Sequence, residues 1–216
     1  MDKINAKGKY LKEVSQALKN SLNGEEVVIT NAEKIHGLAA GLKNGEIVLE
    51  GNAGDYFGSL NDGAVIRVTK NTGKYAADNM TGGTLIIEGN AGFGTAQYCY
   101  GGVVVVLGDS GDFTGTMNKG ATIIIKGNVG DEVGTYMLKG DLIVIGDAGE
   151  NFANYLIRGN VYISGKWKNL GHNTKIEPLT EEDISKLQNY FDEYQITSDP
   201  KDFKKIIAAS EKPFYK

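Results

Sequence analysis

Few residues in this chain could do chemistry. The stretch GNAGFGTAQYCYGG (Gly89–Gly102) sets glycines beside the only cysteine, Cys99, an arrangement that could cradle a phosphate or hold a thiolate. A dinucleotide fingerprint needs G-x-G-x-x-G between a strand and a helix. Gly89, Gly92 and Gly94 have the wrong order, and the apolar run from Val103 leaves no room for that helix. A cysteine nucleophile needs a base and an orienting group. The only histidines are His36, expected in the column of Phe57, and His172, beyond the last repeat, so both stand several coils from Cys99. Two histidines and one cysteine give no zinc spacing, and one cysteine excludes a disulfide framework or a four-cysteine cluster. Asp55, Asp112, Asp131 and Glu150 recur in phase and are expected on a solvated edge. No catalytic, cofactor-binding or metal-ligating residue is therefore expected in this chain.

What positions these residues is a repeat. The runs EIVLEG, TLIIEG, VVVVLG, TIIIKG, DLIVIG and NVYISG close on Gly51, Gly89, Gly108, Gly127, Gly146 and Gly165, all 19 residues or twice 19 apart. Lys70 fills the missing step after VIRVT, and EVVIT (Glu26–Thr30) precedes the series after a coil about two residues longer. Ile47, Ile66, Leu85, Val104, Ile123, Leu142 and Val161 form one aliphatic column. Leu49, Val68, Ile87, Val106, Ile125, Val144 and Ile163 form another, two residues on. At period two they share one strand face. Nineteen residues are too few for strands joined by helical crossovers, whereas parallel rungs of a solenoid fit the pattern. Burial of each of these side chains would contribute about 1.5–3 kcal/mol, mostly offset by chain entropy. A single coil could not hold itself together, but a stack can.

The small residues fall in their own columns. Gly54, Gly73, Gly92, Gly111, Gly130 and Gly149 mark corners. Gly58, Ala77, Ala96, Gly115, Gly134 and Ala153 form a second small column, and Ala64, Gly83, Gly102, Ala121, Gly140 and Gly159 a third. Such positions mark a close approach or a positive φ. Asn52, Asn71, Asn90, Asp109, Asn128 and Asp147 follow the strand ends, where they suit turns and can hydrogen-bond along the stack. Cys99 shares a mixed, undemanding column with Asn61, Met80, Asn118, Met137 and Leu156. Between the core columns, facing outward, lie Val48, Arg67, Ile86, Val105, Ile124, Ile143 and Tyr162. This apolar face is covered either by the terminal helices or by a partner protein; for a partner face the candidates are Val48, Ile86, Val105, Ile124, Ile143 and Tyr162.

The expected architecture is an all-β, single-stranded parallel β-helix of seven to eight coils with short terminal α-helices. Residues 1–24 would form an N-terminal helical cap, 25–170 the solenoid, and 171–216 a helical tail. Leu11, Val14, Leu18 and Leu22 have helical spacing; Thr180 and Asp183 resemble a capping box; DPKDFKKIIAAS suggests a last short helix. The formal charge of -4 argues against nucleic acid as a partner, and no apolar run approaches a membrane span or a signal peptide. With one cysteine, a cytoplasmic location fits. A homo-oligomer is compatible with the sequence.

The segments GNAGDYFG, MTGGTLIIEGNAG, GDSGDFTG and GNVGDEVGTYMLKGDLIVIGDAG resemble the GXGXG β-helix domain across roughly residues 25–170. That domain ends the large subunit of glutamate synthase, and a similar one makes up one of the subunits of formylmethanofuran dehydrogenase. YAADNMTGG and AQYCYGG are closer to the glutamate synthase branch. The resemblance implies a right-handed β-helix without catalytic residues, which positions a glutamine amidotransferase subunit and an FMN-binding synthase subunit. FMN and the iron–sulfur clusters would then belong to those partners, and this chain would bind no cofactor. The alternatives are the formylmethanofuran dehydrogenase role and a free-standing β-helix enzyme. Acyltransferase helices with 18 residues per coil do not match the period of 19.

Overall fold

The computed structural model describes residues 2–210 and 212. Its strands are β1 (Asp2–Asn5), β2 (Val27–Thr30), β3 (Glu46–Glu50), β4 (Asp62–Val68), β5 (Gly82–Ile87), β6 (Val103–Val106), β7 (Lys119–Ile125), β8 (Lys139–Val144), β9 (Asn160–Ile163), β10 (Thr174–Glu177) and β11 (Lys204–Ala208). Helix α1 spans Leu11–Ser21 and α2 spans Glu181–Glu193. The strands form one sheet in the order β1 to β9, then β11, then β10. β1 to β9 are parallel; β11 runs antiparallel to β9 and β10 antiparallel to β11.

This is the parallel β-solenoid that the period requires. Ile47 pairs with Ile66, then Leu85, Val104, Ile123, Leu142 and Val161 in unbroken register. Every member of both aliphatic columns is buried in one continuous core. Val14 and Leu18 of α1 join that core and close its first coil.

The ladder of Asn and Asp side chains holds the coils in phase. Asn71 N–H donates to Asn52 Oδ1 (3.1 Å), and the relay continues through Asn90, Asp109, Asn128 and Asp147 to Lys166 N–H (2.7 Å). A second ladder uses the in-phase carboxylates: Asp55, Asp112 and Asp131 accept from Lys74, Asp131 and Glu150 backbone N–H groups. Both satisfy backbone donors that a corner would otherwise leave unpaired.

The first two small columns answer different demands. The Gly92 column has no positive φ, but a Cβ at Gly92 would stand 2.6 Å from the Gly73 carbonyl oxygen of the coil beneath. The Gly58 column is left-handed throughout, including Ala77, Ala96 and Ala153 at φ of 59°, 56° and 58°. The columns of Tyr56 and Leu60 are left-handed too, so each corner alternates its hand: Tyr56, Gly58 and Leu60 have φ of 58°, 66° and 59°. Alternation aims successive N–H groups at opposite neighbours. Tyr56 and Leu60 donate forward to Lys74 and Asp78 carbonyls, and Gly58 donates back to Leu38.

Four expectations are corrected. The segment after Pro200 is a single 3-10 turn followed by β11, so the tail beyond residue 170 contains α2 and two strands. Ile206, fully buried opposite Val161, explains why KKIIA extends the sheet instead of coiling. The first coil is one residue longer than the others, since Val27 pairs with Ile47. The extra residue falls between Thr30 and Ile35, which moves His36 into the column of Asp55, to whose N–H its Nδ1 is 3.0 Å. The Cys99 column is also more demanding than its composition suggests. Asn61 and Asn118, three coils apart, are buried and bond both backbone groups of Ala64 and Ala121 respectively at 2.8–3.0 Å. Met80 and Met137 repeat at the same three-coil step, their methyls filling the space that side chains at Gly102 and Gly159 would need.

Candidate functional site

The Gly89–Gly102 stretch is one coil's corner. Gly92 and Ala96 take the same positions as in other coils, and Cys99 is fully buried in the core. Its thiol donates to the Ala77 carbonyl oxygen (3.0 Å). Burial chiefly, reinforced by the charge of Asp78 and opposed by a backbone hydrogen bond at Met80, pushes it up to about 12. A thiol so placed is neutral and inaccessible, the opposite of a reactive cysteine. His36 is exposed beside Asp55 (Nδ1–Oδ2 3.4 Å), and His172 stacks on Tyr155 with ring centroids 5.2 Å apart. Neither approaches Cys99. Among the described residues no group of three or more His, Cys, Asp or Glu could hold a metal ion. No described helix is long and apolar enough to cross a membrane.

The outward apolar column is divided. Val105, Ile124, Ile143 and Tyr162 are fully buried with Leu187, Phe191, Ile196 and Phe203. At these four positions the cover is the chain's own C-terminal segment, so they are not open to a partner. Val48 and Ile86 stay half-exposed, Ile86 packing against the edge of the buried cluster, and Arg67 between them is exposed and paired with Glu88 (2.8 Å).

α2 lies along the stack. Tyr162 of β9 donates to Asp183 (2.6 Å), Lys186 donates to Asp141 of β8 (3.0 Å), and Tyr190 bonds Thr122 of β7 (3.0 Å). One helical turn of about 5.4 Å thus advances about one rung of about 4.8 Å. Thr180 caps the helix reciprocally with Asp183, and Lys205 of β11 adds a salt bridge to that carboxylate (2.9 Å). Burial would raise Asp183, but hydrogen bonds from Tyr162, Thr180 and Lys205 outweigh it and hold the carboxyl far below its usual range. Burial first, then the bond to Asp183, pushes the Tyr162 phenol well above its usual value. This polar cluster is a clamp for the helix. Sequence pattern identifies the capping pair but not its strand partners, because Tyr162 and Asp183 stand 21 residues apart in the chain.

Where α2 ends, a cavity of about 520 Å³ opens on the sheet. Val65, Arg67, Thr84, Ile86, Glu193 and Tyr194 contribute to its walls. It is mixed in polarity and continuous with the open half of the outward column.

A stacked-coil domain with glycine corners and a continuous aliphatic core belongs to the class of parallel β-solenoids. The chain is a member of the GXGXG motif family, whose model matches residues 101–212, just over half its length. Among curated proteins, none matches it.

Proposed function

We propose that this chain is a non-catalytic scaffold component of a glutamate synthase-type complex, positioning a glutamine amidotransferase subunit and an FMN-binding synthase subunit in the cytoplasm. The observation that carries the reading is membership of the GXGXG family, a domain that occurs in glutamate synthase-type proteins. The locked thiol of Cys99 agrees with it, since the one cysteine of the chain is spent on packing. On this reading FMN and the iron–sulfur clusters reside in the partners, and this chain contributes rigid spacing.

Affinity purification of the full chain from its native cell tests the proposal. Recovery of an amidotransferase and a flavoprotein in fixed stoichiometry is the expected result; a chain recovered alone overturns it. Recovery of pterin-dependent oxidoreductase subunits instead would assign it to the formylmethanofuran dehydrogenase branch. Turnover by the purified chain alone would make it an enzyme.

A further inference from the structure

We propose that the open half of the outward sheet face, over β3 to β5, is the docking site for a short amphipathic helix of a partner subunit, with basic residues flanking its apolar stripe. The inference rests on the reading that the chain works by holding partners, and it names where one of them is held.

The molecule itself shows what this face accepts. Over β7 to β9 the outward column is covered by a helix lying along the stack, about one turn per rung. Toward the N-terminal coils the column continues in register through Ile86, Arg67 and Val48, while α2 ends at Glu193. Val65, 45% exposed, adds apolar surface beside Ile86 in the cavity at the end of α2. Three rungs span about 14 Å, the length of about ten helical residues.

Charge selects among possible helices. Glu46, Val65, Thr84, Val103, Thr122 and Asp141 follow one another in register along one border of this face. On the covered half, α2 crosses that border with Lys186 against Asp141, both mostly shielded from solvent. On the open half, the same border carries Glu46, and the opposite border carries Glu50. Both are exposed, and neither has an ion-pair partner among the described residues. Arg67 is already matched by Glu88. The last turn of α2 carries no basic residue, and its partial negative charge faces a cavity that Arg67 and Lys126 also line. A helix placing leucine- or phenylalanine-like side chains over Val48 and Ile86, with Lys or Arg over Glu46 and Glu50, would repeat the α2 contact.

The test uses the full chain purified from its native cell with its partners. Val65→Glu and Val48→Glu should each lower recovery of one partner more than tenfold without changing the melting curve of the chain. The double variant Glu46→Lys/Glu50→Lys, which alters only exposed side chains, should lower it several-fold. Leu60→Glu, at an exposed corner position, should not. The photo-crosslinking residue p-benzoylphenylalanine in place of Ile86 or Val48 should label one and the same helical, basic-flanked segment of that partner. Partner recovery that is unchanged in all three face variants overturns the proposal, as do crosslinks to a second copy of this chain or to a non-helical segment. Stoichiometric partners that survive these variants leave the scaffold reading standing and remove only this inference; a wild-type chain recovered alone removes both.

Discussion

The Tyr162 hydroxyl donates a 2.6 Å hydrogen bond to Asp183 Oδ1, tying the last parallel rung to the first turn of α2. One carboxylate thereby links β9, the helix cap at Thr180 and Lys205 of β11.

This clamp makes stability acid-sensitive. The Asp183 carboxyl titrates below its unfolded value of about 3.9, so its contribution is fully present above that pH and wanes as pH falls below it. Asp183→Asn should flatten the acid limb of a stability profile measured by urea unfolding between about pH 5 and pH 2. A profile as steep as that of the wild type would show that other carboxylates govern the acid response.

Loss of the clamp should also release α2 before the coils unravel. Tyr162→Phe removes one donor from a buried carboxylate and should cost about 1–3 kcal/mol. Amide exchange is expected to quicken in residues 181–193 first, with β4 to β8 remaining protected.

The two kinds of small-residue column predict opposite tolerance. Gly92→Ala forces a methyl against the carbonyl of Gly73 and should destabilise by about 1–3 kcal/mol. Gly58→Ala places a methyl 3.6 Å from Ile66 and Leu85 side chains, at a φ that Ala77 and Ala96 already adopt. Its thermal unfolding should shift by no more than about 1 kcal/mol, within the cost of a left-handed alanine.

Asn118→Leu removes both bonds to Ala121 and leaves its buried N–H without the Asn118 acceptor, an expected loss of about 1–3 kcal/mol. Asn79→Leu, in a half-buried position, should cost far less. Equal losses in denaturant titrations would contradict the assigned role of Asn118.

Cys99 should resist a thiol reagent such as dithionitrobenzoate in the native protein and react fully in denaturant, because its thiol is buried and held near 12. Fast labelling at neutral pH under native conditions would refute that burial.

The aliphatic ridges, the glycine corners and the asparagine ladder are legible in the sequence because each recurs at one period, and a parallel stack turns equal phase into contact. Outside that period only the two helices are legible, from their own spacing and the capping pair. β1, β10 and β11 lie outside the repeat, and KKIIA reads as helix although its alternation matches the sheet that Ile206 joins. A single inserted residue at the first corner displaces His36 from its expected column. The left-handed backbone at Tyr56 and Leu60 is hidden for another reason: local sequence flags positive φ through glycine, whereas here it is imposed by hydrogen bonds to two neighbouring coils. The open half of the outward column differs in sequence from the covered half by Arg67, but the boundary between them is set by where α2 stops.

The reversal of direction at β11 has a further consequence. A stack of equivalent parallel rungs is a one-dimensional crystal, and its exposed end is a template on which another copy could grow. Here the last rung is met by β11 running the other way, and then by the four-residue β10, which carries Lys175 and Glu177 and is followed by Pro178. Short charged strands beside a proline are poor templates. The turn-back therefore acts as a chain terminator: the stack ends in an edge that offers a further parallel rung little to grow on.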